Sequence, residues 1–151
     1  EERGIQLASE SNAEMGAFRS TMTVELTTAG GSVHSLGGTV FGNSMPRLIS
    51  LDGFRLEAYL DGDLLVFHHQ DVPGIIGGVG AIFGKHGVNI AQMAVGRAGS
   101  RPGGEAVGVL NLDSPPPEEA LQAVRELPAI QSAAFAGAAG EVKPSSTVAL
   151  S

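Results

Sequence analysis

The stretch from Leu64 to Arg97, LLVFHHQDVPGIIGGVGAIFGKHGVNIAQMAVGR, constrains the fold more than any other part of this 151-residue chain. LLVFHH reads as a buried strand. Asp71-Val72-Pro73-Gly74 has the grammar of a helix start, with Asp71 as N-cap and Pro73 in the first turn. Ile75, Ile76, Val79, Ile82 and Phe83 then recur at helical spacing and form one apolar stripe. Lys85-His86-Gly87 is a helix end, with cations in the last turn and glycine beyond. Asn89 to Arg97 reads as a strand, AGSRPGG as a connection, and EAVGVLNLD (105–113) as a strand returning from it. Pro115-Pro116-Pro117 breaks the chain before a second helix, EEALQAVREL, with Ala120, Leu121, Val124 and Leu127 on one face. Pro128 ends that helix, and Ile130 to Ala136 is a last strand. The order β-α-β-β-α-β predicts an α+β, ferredoxin-like unit. Its helices cover one sheet face and leave the other face or an edge free for a partner.

The glycines in this stretch raise a rival reading. Gly78-x-Gly80-x-x-x-Gly84 looks like a dinucleotide-binding loop. Such a loop places its glycines between strand and helix, so that backbone can approach a pyrophosphate. Here the helix start precedes them, and the apolar stripe runs straight through Gly77, Gly78, Gly80 and Gly84. Each glycine inside a helix costs about 1 kcal/mol against alanine, which suggests close packing on a neighbour as their reason. A Rossmann unit also needs a crossover helix where this chain makes a hairpin-like return.

Upstream the pattern changes. AFRSTMTVELTTA (17–29), VHSLGGTVFG (33–42), PRLISLD from Pro46 and FRLEAYL (54–60) read as strands, with an irregularity at Gly38. Asp52-Gly53 is the strongest hairpin signal in the chain. A small antiparallel sheet without a helix of its own is expected, with residues 1–10 adding the end of a helix and a short strand. Residues 137–151 have no periodicity and read as a flexible tail.

Composition removes several function classes. Net charge is −7 and the pI is near 4.9, so the surface repels nucleic-acid backbones and anionic membranes. Aromatics are only 5% of residues, which disfavours a base-stacking surface. The absence of cysteine removes disulfides, thiolate metal sites and thiol nucleophiles. No apolar run reaches the ~18 residues of a membrane span. The chain opens acidic, unlike a signal peptide, and does not begin with Met. A cytoplasmic piece of something longer is the expectation.

Among polar residues, His68 and His69 are adjacent on a strand, so they point to opposite faces and cannot share a metal. His34 and His86 lack metal spacing, and no metal site is expected. No Ser-His-Asp set follows from the spacing, so no catalytic residue is assigned. His69 and Asp71 can share a face at the strand end. The helix amides after Asp71 suit a carboxylate, and Asn89 offers an amide donor and acceptor. Together they could hold a zwitterion, with Asp71 on its ammonium. The plainer alternative is that Asp71 only caps the helix and Asn89 only turns the chain.

DVPGIIGGVGAIFGKHGVNIAQMAVGR resembles an ACT domain, the amino-acid-sensing module of metabolic enzymes, and the likeness extends over 64–136. The preceding GTVFGNSMPRLISLDGFRLEAYLDGDLLVFHHQD is similar to the end of the intervening domain of D-3-phosphoglycerate dehydrogenases. The resemblance implies a partial intervening domain at 1–62, an ACT domain at 63–137 and a tail at 138–151. It implies the C-terminal regulatory part of an enzyme that oxidises 3-phosphoglycerate with NAD in serine biosynthesis. The cofactor and the catalytic domains would lie outside this chain, which holds no cofactor of its own. L-serine would bind between paired ACT domains, making a homo-oligomer. Carried over by position, the ligand residues are His69, Asp71 and Asn89, with Val72, Pro73, Gly74, Ile75 and Ile76 supplying backbone and Ile90 beside Asn89. Some family members bind a phosphate-bearing effector in the intervening domain, for which Arg47 and Arg55 are the candidates. Two alternatives stand: a purely structural oligomerisation module, and a region like the beta subunit of an iron–sulfur L-serine dehydratase.

Overall fold

The computed structural model describes residues 6–12, 20–42, 44–99, 102–138 and 142–143. The chain divides into two compact units, Glu1–Leu60 and Asp61–Ser151.

The first unit is an antiparallel meander of β1 (Gln6–Asn12), β2 (Thr21–Thr27), β3 (Val33–Phe41), β4 (Met45–Leu51) and β5 (Phe54–Tyr59), in that order across the sheet. Among its described residues there is no helix. Asp52 (φ 48°) and Gly53 (φ 84°) both adopt left-handed backbone, the geometry of the tight hairpin that the Asp-Gly pair predicts. The Asp52 carboxylate accepts from the Ser35 amide (2.8 Å) and contacts His34 Nδ1 (3.1 Å), tying the turn to β3. The strand register slips between Gly37 and Gly38, where the irregularity was expected. Leu48, Phe54 and Ala58 form the buried side, with Leu48 directly opposite Ala58. The expected helix end falls on residues 1–5, outside the described residues.

The second unit runs β6 (Asp63–Gln70), α1 (Ile75–Lys85), β7 (Ile90–Arg97), β8 (Glu105–Leu112), α2 (Glu118–Arg125) and β9 (Ile130–Ala136), the expected β-α-β-β-α-β order. A two-residue strand, β10 (Val142–Lys143), pairs with β9 inside the segment expected as a tail. The rest of that segment beyond Ala138 lies outside the described residues. The sheet order is β10-β9-β6-β8-β7, so β7 is an edge. Leu65 and Phe67 of β6, Val79 and Phe83 of α1, Leu110 and Leu112 of β8, Leu121 and Val124 of α2 and Phe135 of β9 make the core. Each such side chain contributes about 1.5–3 kcal/mol through burial. Phe67 lies opposite Gly108 on the neighbouring strand. A Cβ at residue 108 would collide with the Phe67 ring, so glycine is what lets a phenylalanine sit at the sheet's centre.

The start of α1 differs from expectation. Asp71 does not cap it: the N-cap is Gly74, at φ 89°, with no side-chain cap. Pro73 has no amide to give, and the left-handed Gly74 turns the chain abruptly. Asp71 remains bound into the sheet end, its amide donating to Gly104 O (2.8 Å) and its carbonyl accepting from Gly103 N (3.1 Å). The other end of α1 follows expectation, with Lys85 in the last turn and Gly87 at φ 70°. Gly77, Gly78, Gly80 and Gly84 all lie within the helix, as the stripe requires. A Cβ on Gly78 would rest 3.6 Å from Leu127, whereas one on Gly77, Gly80 or Gly84 would meet nothing within 4 Å.

Candidate functional site

Strand β8 runs antiparallel to both β6 and β7, so β6 and β7 run the same way and end together. The register sets His69 of β6 opposite Ala106 of β8, and Ala106 opposite Arg97 of β7. Residues paired this way share a face, here the one that carries Phe67 and the helices. The β7–β8 hairpin folds back on Asp71 through Gly103 and Gly104. Four polar or backbone features therefore meet at one sheet end: His69, Asp71, Arg97 and the start of α1.

Arg97 and Asp71 form an ion pair. Arg97 Nε lies 2.8 Å from Asp71 Oδ2, and Nη2 lies 3.4 Å from Oδ1. Asp71 Oδ2 is itself buried. The Asp71 side chain is largely sheltered (14% exposed) while that of Arg97 is half-exposed (53%). Arg97 was not among the residues singled out from sequence. A signal existed: in a β-α-β-β unit the first two strands are parallel, so they end at the same edge of the sheet.

His69 is 1% exposed. Its Nδ1 lies 2.8 Å from the Gln70 carbonyl, which can only accept, so Nδ1 carries the proton. In the neutral ring Nε2 is then an acceptor, and it is buried with no hydrogen-bond partner among the described residues. A buried polar nitrogen left this way costs roughly 1–3 kcal/mol, and a ligand donor or a water would recover it. His68 takes the opposite face, as expected, and contacts Ser132 Oγ at 3.3 Å.

The backbone expected to serve a carboxylate is present but begins later than the sequence suggested. The first helical bond at this end runs from Gly78 N to Gly74 O (2.9 Å). The amides of Ile75, Ile76 and Gly77 thus precede the ladder. Val72, Pro73 and Gly74 are exposed, Ile75 is buried and Ile76 packs on the core.

Asn89 and Ile90 are elsewhere. Ile90 is opposite Leu112, at the other end of β8 from Ala106. The rise along a strand puts Asn89 roughly 20 Å from His69. There Asn89 donates to Asp113 Oδ2 (2.6 Å), and its carbonyl accepts from Asp113 N (3.1 Å). One copy of the chain therefore brings His69 and Asp71 together and leaves Asn89 apart.

The two candidate arginines, Arg47 and Arg55, do not cluster either. Arg47 lies over the Tyr59 ring at 3.9 Å from its centroid and donates to Pro46 O (3.0 Å). Arg55 pairs with Ser50, several residues from the Arg47–Tyr59 pair. Stacking on an aromatic face uses the guanidinium that an anion would need.

The ACT domain model matches residues 64–129. Residues 64–129 are an ACT domain. Beyond it, the chain is 34% identical over 134 residues to D-3-phosphoglycerate dehydrogenase of Archaeoglobus fulgidus, covering 89% of this chain and 25% of that protein. The enzyme of the same name from Methanocaldococcus jannaschii is 41% identical over 92 residues, 61% of this chain and 17% of its own length. That from Synechocystis is 33% identical over 132 residues, 87% and 23% respectively. The chain spans a quarter or less of the length of these relatives, consistent with a C-terminal regulatory part. Among the described residues no helix is long and apolar enough to cross a membrane. With Gly78, Gly80 and Gly84 inside α1, the ACT domain has no glycine loop there for the phosphates of NAD.

Proposed function

We propose that this chain is the amino-acid-sensing regulatory region of a D-3-phosphoglycerate dehydrogenase, with L-serine as effector and a second copy of the chain completing the site. The separation of Asn89 from His69 and Asp71 carries the reading. Strand β7 is an edge, and its Met93 and Val95 are exposed (44% and 40%). Two copies joined antiparallel along β7 would set the Asn89 end of one beside the Asp71 end of the other. Such a site would take the effector's ammonium on Asp71, its hydroxyl on His69 Nε2 and its carboxylate on the amides at the start of α1. Asn89 of the second copy would close it. NAD and the catalytic residues would belong to the rest of the enzyme, acting in the cytoplasm.

Titration calorimetry with L-serine tests this directly. Binding is expected together with a tighter dimer in sedimentation, and loss of both effects in Asp71→Ala and Asn89→Ala. An intact dimer that gives no heat and no thermal shift at millimolar serine would sink the sensing role. A purely structural module is the second reading, favoured by the open glycine positions on α1. It predicts a tight dimer indifferent to every amino acid. The dehydrogenase names of the relatives speak against the dehydratase alternative.

A further inference from the structure

We infer that Arg97 joins the α1 amides in selecting the effector's carboxylate, and that the site recognises a zwitterion through the Asp71–Arg97 pair as a unit. The inference rests on the effector site proposed above. Alone, Asp71 would attract an ammonium but repel a carboxylate a few ångströms away. Arg97 removes that conflict, because its Nε and Nη2 engage the two carboxylate oxygens of Asp71. The half-exposed Arg97 side chain keeps further N–H donors, and five in a fixed fork are more than one carboxylate uses. Position favours the same role. Arg97, Ala106 and His69 lie in one row across three adjacent strands and on one face. Ala106 between them has only a methyl group and is fully buried. Two strand spacings, roughly 10 Å, separate the row's ends, and Arg97 is the end that solvent reaches, its side chain being 53% exposed and His69 only 1%. His69 Nε2 is buried at the far end of that row with no hydrogen-bond partner among the described residues.

The test compares L-serine with L-serinamide, which keeps the ammonium and the hydroxymethyl group but lacks the carboxylate. Titration of the 151-residue chain should show serine preferred by about 10- to 100-fold, the range of a charge-assisted hydrogen-bond pair. Arg97→Met, which keeps the apolar stem, should remove most of that preference and leave only the part the α1 amides supply. Arg97→Lys should fall between, since it keeps the charge and loses the fork. If Arg97→Met and Arg97→Lys weaken serine and serinamide by the same factor, Arg97 merely positions Asp71 and the assignment is wrong. If the unsubstituted chain binds serine but does not discriminate against serinamide, the carboxylate role is wrong while the sensing role survives. If it binds neither, both fall.

Discussion

At the scale of single residues, the two glycine-dependent and histidine-dependent positions of the ACT sheet make opposite predictions. Gly108→Ala puts a methyl into the Phe67 ring and should destabilise the unit by about 1–3 kcal/mol, as overpacking does. Phe67→Leu in the same chain should recover part of that loss, a coupling that urea unfolding of the single and double variants would measure. His69→Leu should behave differently. It removes a buried nitrogen with no hydrogen-bond partner among the described residues, and Gln70 O keeps a donor in Val72 N (2.9 Å). Stability should change by less than about 1 kcal/mol or improve, while serine binding is lost. A large loss of stability would mean that Nε2 has a structural partner instead. Asp71 shows why residue roles were harder to read than strands. Asp followed by Pro and Gly satisfies the local rules for a helix cap, and only the β7–β8 hairpin, bonding to Asp71 through Gly103 and Gly104, holds it in the sheet end instead.

At the scale of elements, the sequence was most legible where periodicity was strong. The stripe of Ile75, Val79 and Phe83 located α1, and the Asp52-Gly53 pair located a hairpin to the residue. Helix ends were less legible because they depend on where the chain turns: α2 stops at Arg125, short of Pro128. The α1 glycines separate local from intermolecular reasons for the same residue. Within one chain Gly77, Gly80 and Gly84 have open space around a would-be Cβ, and none has a left-handed backbone. Alanine at each should therefore stabilise the monomeric unit by about 0.5–1 kcal/mol through helix propensity alone. Gly74 and Gly87 are the control, since their positive φ makes alanine costly there. If the three glycines serve a neighbouring copy, the triple alanine variant should show raised thermal stability at low concentration together with a weaker dimer by sedimentation. Gain in both would leave the glycines without an intermolecular role.

At the scale of the whole molecule, what could not be read along the chain is register between strands. His69, Asp71 and Asn89 offer complementary polar groups for one zwitterion, yet the parallel course of β6 and β7 puts the length of the sheet between Asn89 and the other two. The same register brings in Arg97, distant in sequence from Asp71 and adjacent in space. If effector binding needs Asp71 from one copy and Asn89 from another, complementation decides it. Asp71→Ala and Asn89→Ala chains should each fail to bind L-serine as homodimers. Mixed after dissociation and reassociation, they should regain one intact site per mixed dimer, because one of the two sites then pairs an unaltered Asp71 with an unaltered Asn89. A site contained within one chain cannot be rescued in this way, since every chain in the mixture carries a lesion. Calorimetric stoichiometry on the mixture would show the difference: recovered binding at a fraction of the unsubstituted value supports a shared site, and none at all rules it out.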